Sequence, residues 1–273
     1  MCGRYVTVSE VKLIEKKFGV TAPNADLYYP NTNVSAGEHG PVITNDRPDL
    51  LQFFQFGYSP SWAKKQFYMI NARSEGDHNK DNDPNYSGAK GIISKPMFRN
   101  SIRKKRCLVV ADAFIEGPQK EKLSKPYCVY LRDEKRPFAF AGIWDEWTDP
   151  STGEIIPNFA IITTRSNRVT QALGHHRSPV ILPEEQYETW LDTSSPLADV
   201  TALLEPYPAP EMNAYPIDPA IKDPRNNGLD LLKAIGERII AEYEFRFYEE
   251  LKLEGMGMSS ARRRKLGEQG SLF

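Results

Sequence analysis

The stretch RCLVVADAFIEG, residues 106–117, is rich in apolar and β-branched residues and is typical of a β-strand segment. Segments of the same kind, separated by turn-forming residues, are GPVITN (40–45), LLQFFQFGY (50–58), PYCVYLRD (126–133), PFAFAGIWDEW (137–147) and NFAIITTRS (158–166). They do not alternate with long helical patterns, as the strands of a parallel sheet would. The sequence therefore predicts an α+β fold whose core is a largely antiparallel sheet or barrel with flanking helices.

Three segments have helical patterns. SEVKLIEKKFGV (9–20) starts with a capping serine and closes with a glycine, and PEEQYETWLD (183–192) starts with a proline and acidic residues. LDLLKAIGERIIAEYEFRFYEELKL (229–253) predicts a long amphipathic helix. We therefore expect a main domain over 1–228 and a C-terminal helix with a tail over 229–273. The polar stretch 74–91 is expected to be a surface insertion.

Composition excludes several classes of protein. The 273-residue chain is 40% hydrophobic with a formal net charge of −1, so a DNA-binding face would be a local patch. No apolar run is long enough for a membrane span, and the N-terminus lacks a signal peptide pattern. Three cysteines fit a reducing compartment, so a cytoplasmic location is expected. The spacing of histidines and cysteines predicts no metal site, and the absence of a glycine-rich phosphate loop argues against a nucleotide cofactor.

The chain opens with MCGRY, which places a cysteine directly after the initiator methionine. Removal of Met1 would leave Cys2 with a free α-amine and a thiol on adjacent carbons. The α-amine has a pKa near 7.7–8.0 and attacks aldehydes to form a Schiff base. The neighbouring thiol can then close a five-membered thiazolidine ring. The alternative is an incidental thiol at a frayed terminus.

Three further stretches contain residues suited to catalysis or binding. INARSEG (70–76) puts Asn71, Arg73 and Glu75 on the same side of an extended segment, although a solvated strand face would look the same. In ADAFIEG (111–117), Glu116 follows a run expected to be buried. Its carboxylate is either an exposed strand end or a partly desolvated acid, whose raised pKa would suit proton transfer. LGHHRSPVIL (173–182) places His175 and Arg177 before an apolar strand, where they line a cleft or serve the structure.

Taken in order along the chain, eight stretches resemble the SRAP family of abasic-site processing proteins. They are MCGRY (1–5), NVSAG (33–37), FGYSPSWAKK (56–65), MINARSE (69–75), RCLVVADAFIEG (106–117), FAGIWDEW (140–147), FAIITT (159–164) and HHRSPVIL (175–182). The resemblance covers roughly residues 1–227 and implies a SRAP-like fold. It also implies covalent reaction with abasic sites in single-stranded DNA, without a cofactor, in the DNA damage response.

The resemblance assigns a role to each candidate residue. Cys2 is the expected nucleophile, Asn71 holds the N-terminus and the sugar, Glu116 moves protons, and His175 assists sugar-ring opening. The expected DNA contacts are Arg4, Arg73 and Arg177 as phosphate ligands and Trp62 as a base-stacking or wedge residue. Aromatic platforms and basic side chains are what single strands require. The basic run Arg99, Arg103, Lys104, Lys105 and Arg106 either extends that face or forms a solvated edge.

Four positions depart from the family pattern. Phe56 stands where a tryptophan is usual, Ile115 and Gly117 replace aromatic residues on either side of Glu116, and Ser178 replaces a methionine. The expected catalytic groups are retained. The shape of the cleft is what these departures would change.

The tail and the N-terminus leave two alternatives open. QGSLF (269–273) resembles the short peptide by which bacterial replication proteins bind the sliding clamp, with Gln269, Leu272 and Phe273 as anchors. The chain would then be a clamp-docking adaptor, or a crosslinking protein that also docks. The other alternative is an N-terminal-cysteine amidohydrolase or peptidase, including self-processing. A monomer is expected.

Overall fold

The computed structural model describes residues 3–133 and 135–241. Its strands are β1 (Arg4–Thr7), β2 (Asn31–Val34), β3 (His39–Thr44), β4 (Arg47–Phe56), β5 (Asn71–Arg73), β6 (Arg106–Ala111), β7 (Ala113–Glu116), β8 (Tyr127–Leu131), β9 (Phe138–Thr148), β10 (Ile155–Arg165), β11 (Arg177–Pro179), β12 (Ile181–Leu182) and β13 (Met212–Pro216). Its α-helices are short: α1 (Val11–Phe18), α2 (Ser101–Lys104), α3 (Arg168–Ala172), α4 (Tyr187–Leu191) and α5 (Leu197–Ala202).

Five strands close into a barrel. The order is β10–β4–β3–β6–β9, and β9 pairs back onto β10 from Ile155↔Thr148 to Ile161↔Gly142. Strands β4 and β5 run parallel to their neighbour β10, whereas the other pairings between described strands are antiparallel. The predicted α+β class with a largely antiparallel sheet and barrel is confirmed.

A second antiparallel sheet, in the order β13–β8–β7–β1–β2, packs against the barrel. Its Tyr5 ring is fully buried and contacts Phe56 at 5.4 Å and Phe140 at 6.2 Å between ring centroids, both edge-on. A Cβ atom at Gly40 of β3 would overlap the Tyr5 hydroxyl, so this strand needs glycine there. The first strand of the chain is thereby held against the barrel.

Helices cover the outer face of the barrel. The helix expected over 9–20 is present as α1, and Gly19, at φ 66°, follows its last residue. The expected capping serine is wrong, because Glu10 occupies the N-cap position and the Ser9 hydroxyl donates to Asp112 instead. The segment 183–192 forms a 3₁₀ turn (Glu184–Gln186) followed by α4. The fully buried Trp190 of α4 donates from Nε1 to the carbonyl oxygen of Cys107 at 2.9 Å and so joins the helix to β6.

The prediction of a helix over 229–253 is wrong for its described part. Residues Leu229–Leu232 form one 3₁₀ turn, and 233–241 contain no helix. Instead the backbone follows β13, with Ile235 N donating to Pro216 O at 2.9 Å and Ile239 N to Ala214 O at 3.0 Å. The open edge of β13 offers these hydrogen-bond partners, and pairing with it displaces the helix that the local pattern favours. The division at residue 228 stays a prediction, and 242–273 lie outside the described residues.

The buried carboxylate of Asp112 fixes the chain after β1. It accepts hydrogen bonds from Val8 N at 2.6 Å and Ser9 N at 2.9 Å, and also from the Ser9 hydroxyl. Arg136 Nη1 lies 3.6 Å from the same carboxylate. Two backbone amides in the interior depend on this side chain, so it sets the position of the strand that begins the chain.

The substitution Asp112→Ala should lower the free energy of unfolding by about 3 kcal/mol, because it leaves buried amides without an acceptor. Urea denaturation followed by tryptophan fluorescence measures this difference. Asp46→Ala, at an exposed position in the β3–β4 turn, is the matched control and should change stability by less than about 0.5 kcal/mol. Equal effects of the two substitutions would contradict the anchoring role.

Candidate functional site

A cleft of ≈ 610 Å³ opens at one end of the seam between the two sheets. Its lining includes Arg4, Ile70, Glu116, Gln119, His175 and His176. The register of β1 against β7 pairs Arg4 with Ile115, and one step further brings Gly3 level with Glu116. Gly3 itself lines the cleft, so the described chain starts inside it.

Glu116 and His175 face each other across the cleft floor. His175 Nε2 lies 3.4 Å from Glu116 Oε1, and the two residues are 4% and 6% exposed respectively. Burial raises the pKa of the Glu116 carboxyl. Burial, together with positive groups such as Arg177, lowers the pKa of His175 to about 4. The same desolvation therefore favours the neutral form of both groups.

The position of His175 follows from the turn after α3. Gly174, at φ 74°, reverses the chain, and His175 N donates to Thr170 O at 2.9 Å. The ring nitrogen Nδ1 lies 2.9 Å from Arg177 O and 3.3 Å from Arg177 N, so the backbone of Arg177 holds this edge of the ring. Nε2, on the opposite edge of the ring, faces Glu116.

Strand β5 brings Asn71 and Arg73 to the same region. It lies parallel to β10, with Asn71 opposite Ile161 and Arg73 opposite Thr163. Asn71 is 8% exposed and follows Ile70, which lines the cleft. Asn71 and Arg73 therefore occupy alternate positions of one strand, as expected, and the Asn71 side chain is buried rather than solvated.

A buried carboxylate, Glu75, joins β5 to β11. It is 0% exposed and accepts from Arg177 Nη2 at 2.7 Å, while Arg73 Nε lies 3.8 Å away. Burial by itself raises the pKa of Glu75, but the hydrogen bond and charge of Arg177 outweigh it and hold that pKa below its usual value. Glu75 belongs to the expected surface insertion 74–91, whose first residues are thus interior.

The Arg177 guanidinium is buried, unlike that of a phosphate ligand on the protein surface. The residue is 3% exposed, and Nη2 also donates to Thr163 O at 2.9 Å. Among the described residues, Arg177 Nη1 and two nitrogens of Arg73, Nε and Nη2, have no hydrogen-bond partner. Both arginines therefore retain donors for an anion, although Glu75 holds them in place.

Arg4 and His176 also line the cleft. Arg4 donates from Nη1 to Asn33 Oδ1 at 2.7 Å and from Nη2 to Lys222 O at 3.1 Å, and burial lowers its pKa. The His176 ring lies 4.9 Å from that of His175, between centroids, and burial also lowers its pKa.

Trp62 lies on the loop between β4 and β5 and is 57% exposed. Its ring is 6.5 Å from that of Phe67, and Tyr68 is also exposed, at 46%. Buried groups hold the loop, since Ser61 N donates to Asp145 Oδ2 at 2.9 Å and Trp147 Nε1 to the loop carbonyl of Ala63 at 2.7 Å. Phe67 and Tyr68 are not among the site residues predicted from the sequence. Two adjacent aromatic residues after two lysines, in a polar stretch, were the available signal.

The basic run at the start of β6 is divided, because Arg99, Arg103 and Lys104 are exposed whereas Lys105 and Arg106 are held by interactions within the fold. Arg106 is 1% exposed and donates to Trp190 O at 2.5 Å and Asp192 O at 2.6 Å. Lys105 pairs with Asp145 at 2.6 Å, and Arg103 donates to backbone carbonyls at 2.6 and 2.8 Å.

Gly117 explains the local shape of the cleft wall. A Cβ atom there would lie 2.7 Å from the carbonyl oxygens of both Lys122 and Lys125. The loop 118–125 therefore packs directly over this position, which a larger side chain would prevent. The other departures, Phe56, Ile115 and Ser178, are all buried.

Four candidate residues, Cys2, Gln269, Leu272 and Phe273, lie outside the described residues. Within residues 3–133 and 135–241, no group of three or more metal-binding side chains is close enough to hold an ion. In the same ranges, no helix combines the length and hydropathy needed to cross a membrane.

The relatives found by sequence comparison include abasic site processing proteins from a bacterium and from a vertebrate. The chain is 32% identical over 242 residues to the abasic site processing protein YoqW of Bacillus subtilis, a match covering 86% of this chain and 100% of that one. It is 26% identical over 260 residues to the abasic site processing protein HMCES of Xenopus tropicalis, covering 81% and 72%. A crystal structure of a protein from Bacteroides thetaiotaomicron has a TM-score of 0.71 at 28% identity, covering 85% of this chain and 99% of that chain.

A profile of one family covers the domain that contains the cleft. The family described as SOS response associated peptidase (SRAP) matches residues 1–224, which include both sheets and the Glu116–His175 pair. The chain belongs to the SRAP family.

Proposed function

We propose that this protein processes abasic sites in single-stranded DNA by forming a covalent crosslink through Cys2 after removal of Met1. The observation that carries the proposal is the register of β1, which brings the start of the chain level with Glu116 beside His175. The names of the relatives YoqW and HMCES support abasic-site processing as the biological role. The protein would act in the cytoplasm, in the DNA damage response.

The proposed reaction releases one water molecule and needs no cofactor. The ring-opened deoxyribose presents an aldehyde at C1′, which the α-amine of Cys2 attacks to give a carbinolamine. Loss of its hydroxyl as water forms the Schiff base. The Cys2 thiolate then adds to the imine carbon, and the nitrogen takes up a proton to complete the thiazolidine. An amine without the adjacent thiol stops at the more readily hydrolysed Schiff base.

Glu116 and His175 are suited to the proton transfers in these steps. A carboxyl group whose pKa is raised by burial can donate a proton to the departing hydroxyl and take one back during reversal. His175, neutral at pH 7, can accept the C1′ hydroxyl proton at Nε2 as the sugar ring opens. Asn71 would hold the N-terminus and the sugar.

The DNA strand would be held by charge and by stacking. Arg73 and Arg4 are partly exposed and carry donors that suit phosphate oxygens. Arg177 would act on the same phosphate from within, through Nη1. Trp62, together with Phe67 and Tyr68, offers ring faces to unpaired bases, and such stacking is worth about 1–3 kcal/mol per base.

Two finer roles remain proposals. The name of the family supports a peptidase activity of the same cysteine, in which the thiol attacks an amide and the α-amine acts as base. The tail residues Gln269, Leu272 and Phe273 would serve as a peptide anchor on the replication sliding clamp.

Intact mass spectrometry tests the proposed function directly. Purified protein should lack Met1 and should gain the mass of an abasic-site oligonucleotide minus one water, without any added reductant. Cys2→Ala should give no such adduct. Cys128→Ala, at a buried cysteine of β8, is the matched control and should react like the parent. A processed Cys2 that forms no adduct but hydrolyses amide substrates would replace crosslinking with the hydrolase function.

Glu116→Gln should slow both formation and reversal of the crosslink, each on the order of a hundredfold, because the amide cannot transfer the proton. Time courses of crosslinking, and of release into an excess of competitor oligonucleotide, measure the two rates. Glu146→Gln, at an exposed position on β9, should leave both unchanged. Reversal as fast as in the parent would contradict the proton-transfer role.

His175 should stay neutral far below the usual histidine range. Because burial disfavours the imidazolium, its protonation midpoint should lie near the value of about 4 given above, rather than near 6.5. Unfolding exposes the ring, so the contribution of neutral His175 to stability is lost as pH falls from about 6.5 towards 4. A pH titration by heteronuclear NMR, with His175→Gln to assign the signal, measures the midpoint. A midpoint at or above 6.5 would show that the ring is not desolvated.

A further inference from the structure

A second and larger depression lies beyond the far end of α3 from His175. It measures ≈ 1020 Å³ and is lined by Arg132, Arg165, Arg168, Glu205 and Tyr207, with Val169 and Ile239 among its apolar residues. We call it the arginine groove. Its described lining contains three arginines and a single acidic residue, Glu205. The groove is therefore a local positive site on a chain of nearly neutral net charge.

The sheet register connects the arginine groove to the catalytic cleft. Arg73 is opposite Thr163 on β10, and Arg165 lies two residues further along the same strand. On the other side of β10, Arg177 is opposite Arg165. Directly opposed residues, and alternate residues of one strand, project from the same face of a sheet. The side chains of Arg73, Arg177 and Arg165 therefore lie on one face, along a line from Asn71 towards the groove.

The walls of the groove are fixed by interactions among their own residues. Glu205 pairs with Arg165 and with Lys90 Nζ, the latter at 2.7 Å, which ties the insertion 74–91 to the groove. Arg132 Nη1 donates to Pro210 O at 3.0 Å. Arg168 is exposed, and no described residue forms an ion pair with it. The positively charged side chains of the arginine groove thus lie on walls fixed by hydrogen bonds and ion pairs, and the aromatic ring of Tyr207 lies in one of those walls.

We propose that the arginine groove binds the DNA strand several nucleotides away from the abasic site, as a second contact that the chemistry does not require. This inference rests on the proposed function for the identity of the ligand. Phosphates match the arginines, and Tyr207 and the apolar residues suit a base or sugar. The line formed by Arg73 of β5, Arg177 of β11 and Arg165 of β10 provides the path between cleft and groove. A single strand is flexible enough to follow that path, and its backbone carries a charge at every nucleotide.

Arg168→Glu tests the groove with least risk to folding. Arg168 is exposed and is the first residue of α3, where an acidic side chain is favourable to the helix dipole. The matched control is Arg47→Glu, with the same charge change at an exposed position on β4 that lines neither the cleft nor the groove. The ligands are undamaged oligodeoxythymidines of about four and about sixteen nucleotides, which bind without crosslinking.

If the arginine groove binds DNA, the loss of affinity caused by Arg168→Glu should depend on the length of the oligonucleotide. Arg168→Glu should weaken binding of the long oligonucleotide several-fold, with a salt slope shallower by about 0.7, and should leave the short one unchanged. Arg47→Glu should alter neither. An equal loss of affinity for the two oligonucleotides would overturn the proposal. So would unchanged affinity for both, and that result would favour an acidic polypeptide as the ligand of the groove.

Crosslinking at saturating abasic-site DNA separates this proposal from the proposed function. Arg168→Glu should reach the same covalent yield as the parent, since Arg168 lies outside the cleft. Failure of the parent to crosslink would refute the proposed function while leaving the length-dependent binding result valid. A reduced yield for Arg168→Glu at saturation would refute the separation of binding from chemistry.

Discussion

The antiparallel pairing of β1 with β7 is the constraint on which the candidate site depends. Arg4 opposite Ile115 fixes the start of the chain beside Glu116, and a slip of one residue would turn every side chain of β1 to the opposite face. Two buried interactions prevent that slip. Tyr5 fills the space above Gly40 in the barrel, and Asp112 binds the amides of Val8 and Ser9 immediately after the strand. Core packing and site geometry therefore have the same origin.

Desolvation at the seam between the sheets gives the pair Glu116 and His175 its chemical character. Removing water penalises the carboxylate and the imidazolium alike, so it raises one pKa and lowers the other. Burial therefore favours the protonated carboxyl over the carboxylate and the neutral imidazole over the imidazolium, and these are the forms that offer a proton and a lone pair. Had the two sheets met less closely, the pair would be a hydrated ion pair and would be less able to exchange protons with a substrate.

The local hydrophobic pattern was sufficient to predict secondary structure where burial of apolar side chains determines it. The apolar segment around Ala111 forms β-structure as predicted, although it divides at Asp112 into β6 of the barrel and β7 of the second sheet. The alternation at Asn71 and Arg73 predicted that both project from one strand. It failed at 229–241, where the helical pattern competes with the open edge of β13, a partner that lies more than ten residues earlier in the sequence. Hydrogen bonding to that edge is a tertiary effect, and no window of local sequence contains it.

The burial and hydrogen-bond partners of each arginine were the features hardest to predict from the sequence. Arg106 and Arg177 both belong to basic stretches, yet each is buried because acceptors from distant segments surround it: carbonyls of Trp190 and Asp192 for one, Glu75 for the other. Exposed Arg168, in contrast, follows an unremarkable capping asparagine. Whether an arginine can bind phosphate depends on how many of its donors the fold has already satisfied, and that number is set by pairing between distant strands.

Separation of the cleft from the arginine groove has a physical consequence for how such a protein would work. Charges near Glu116 would raise or lower its pKa, so adding cations at the cleft to strengthen DNA binding would also change the proton transfers. Cations on the far side of α3 contribute to attraction of the strand while salt and distance screen them from the reacting groups. Placing Arg132, Arg165 and Arg168 there allows affinity to vary without disturbing the desolvated pair that the β1–β7 register creates.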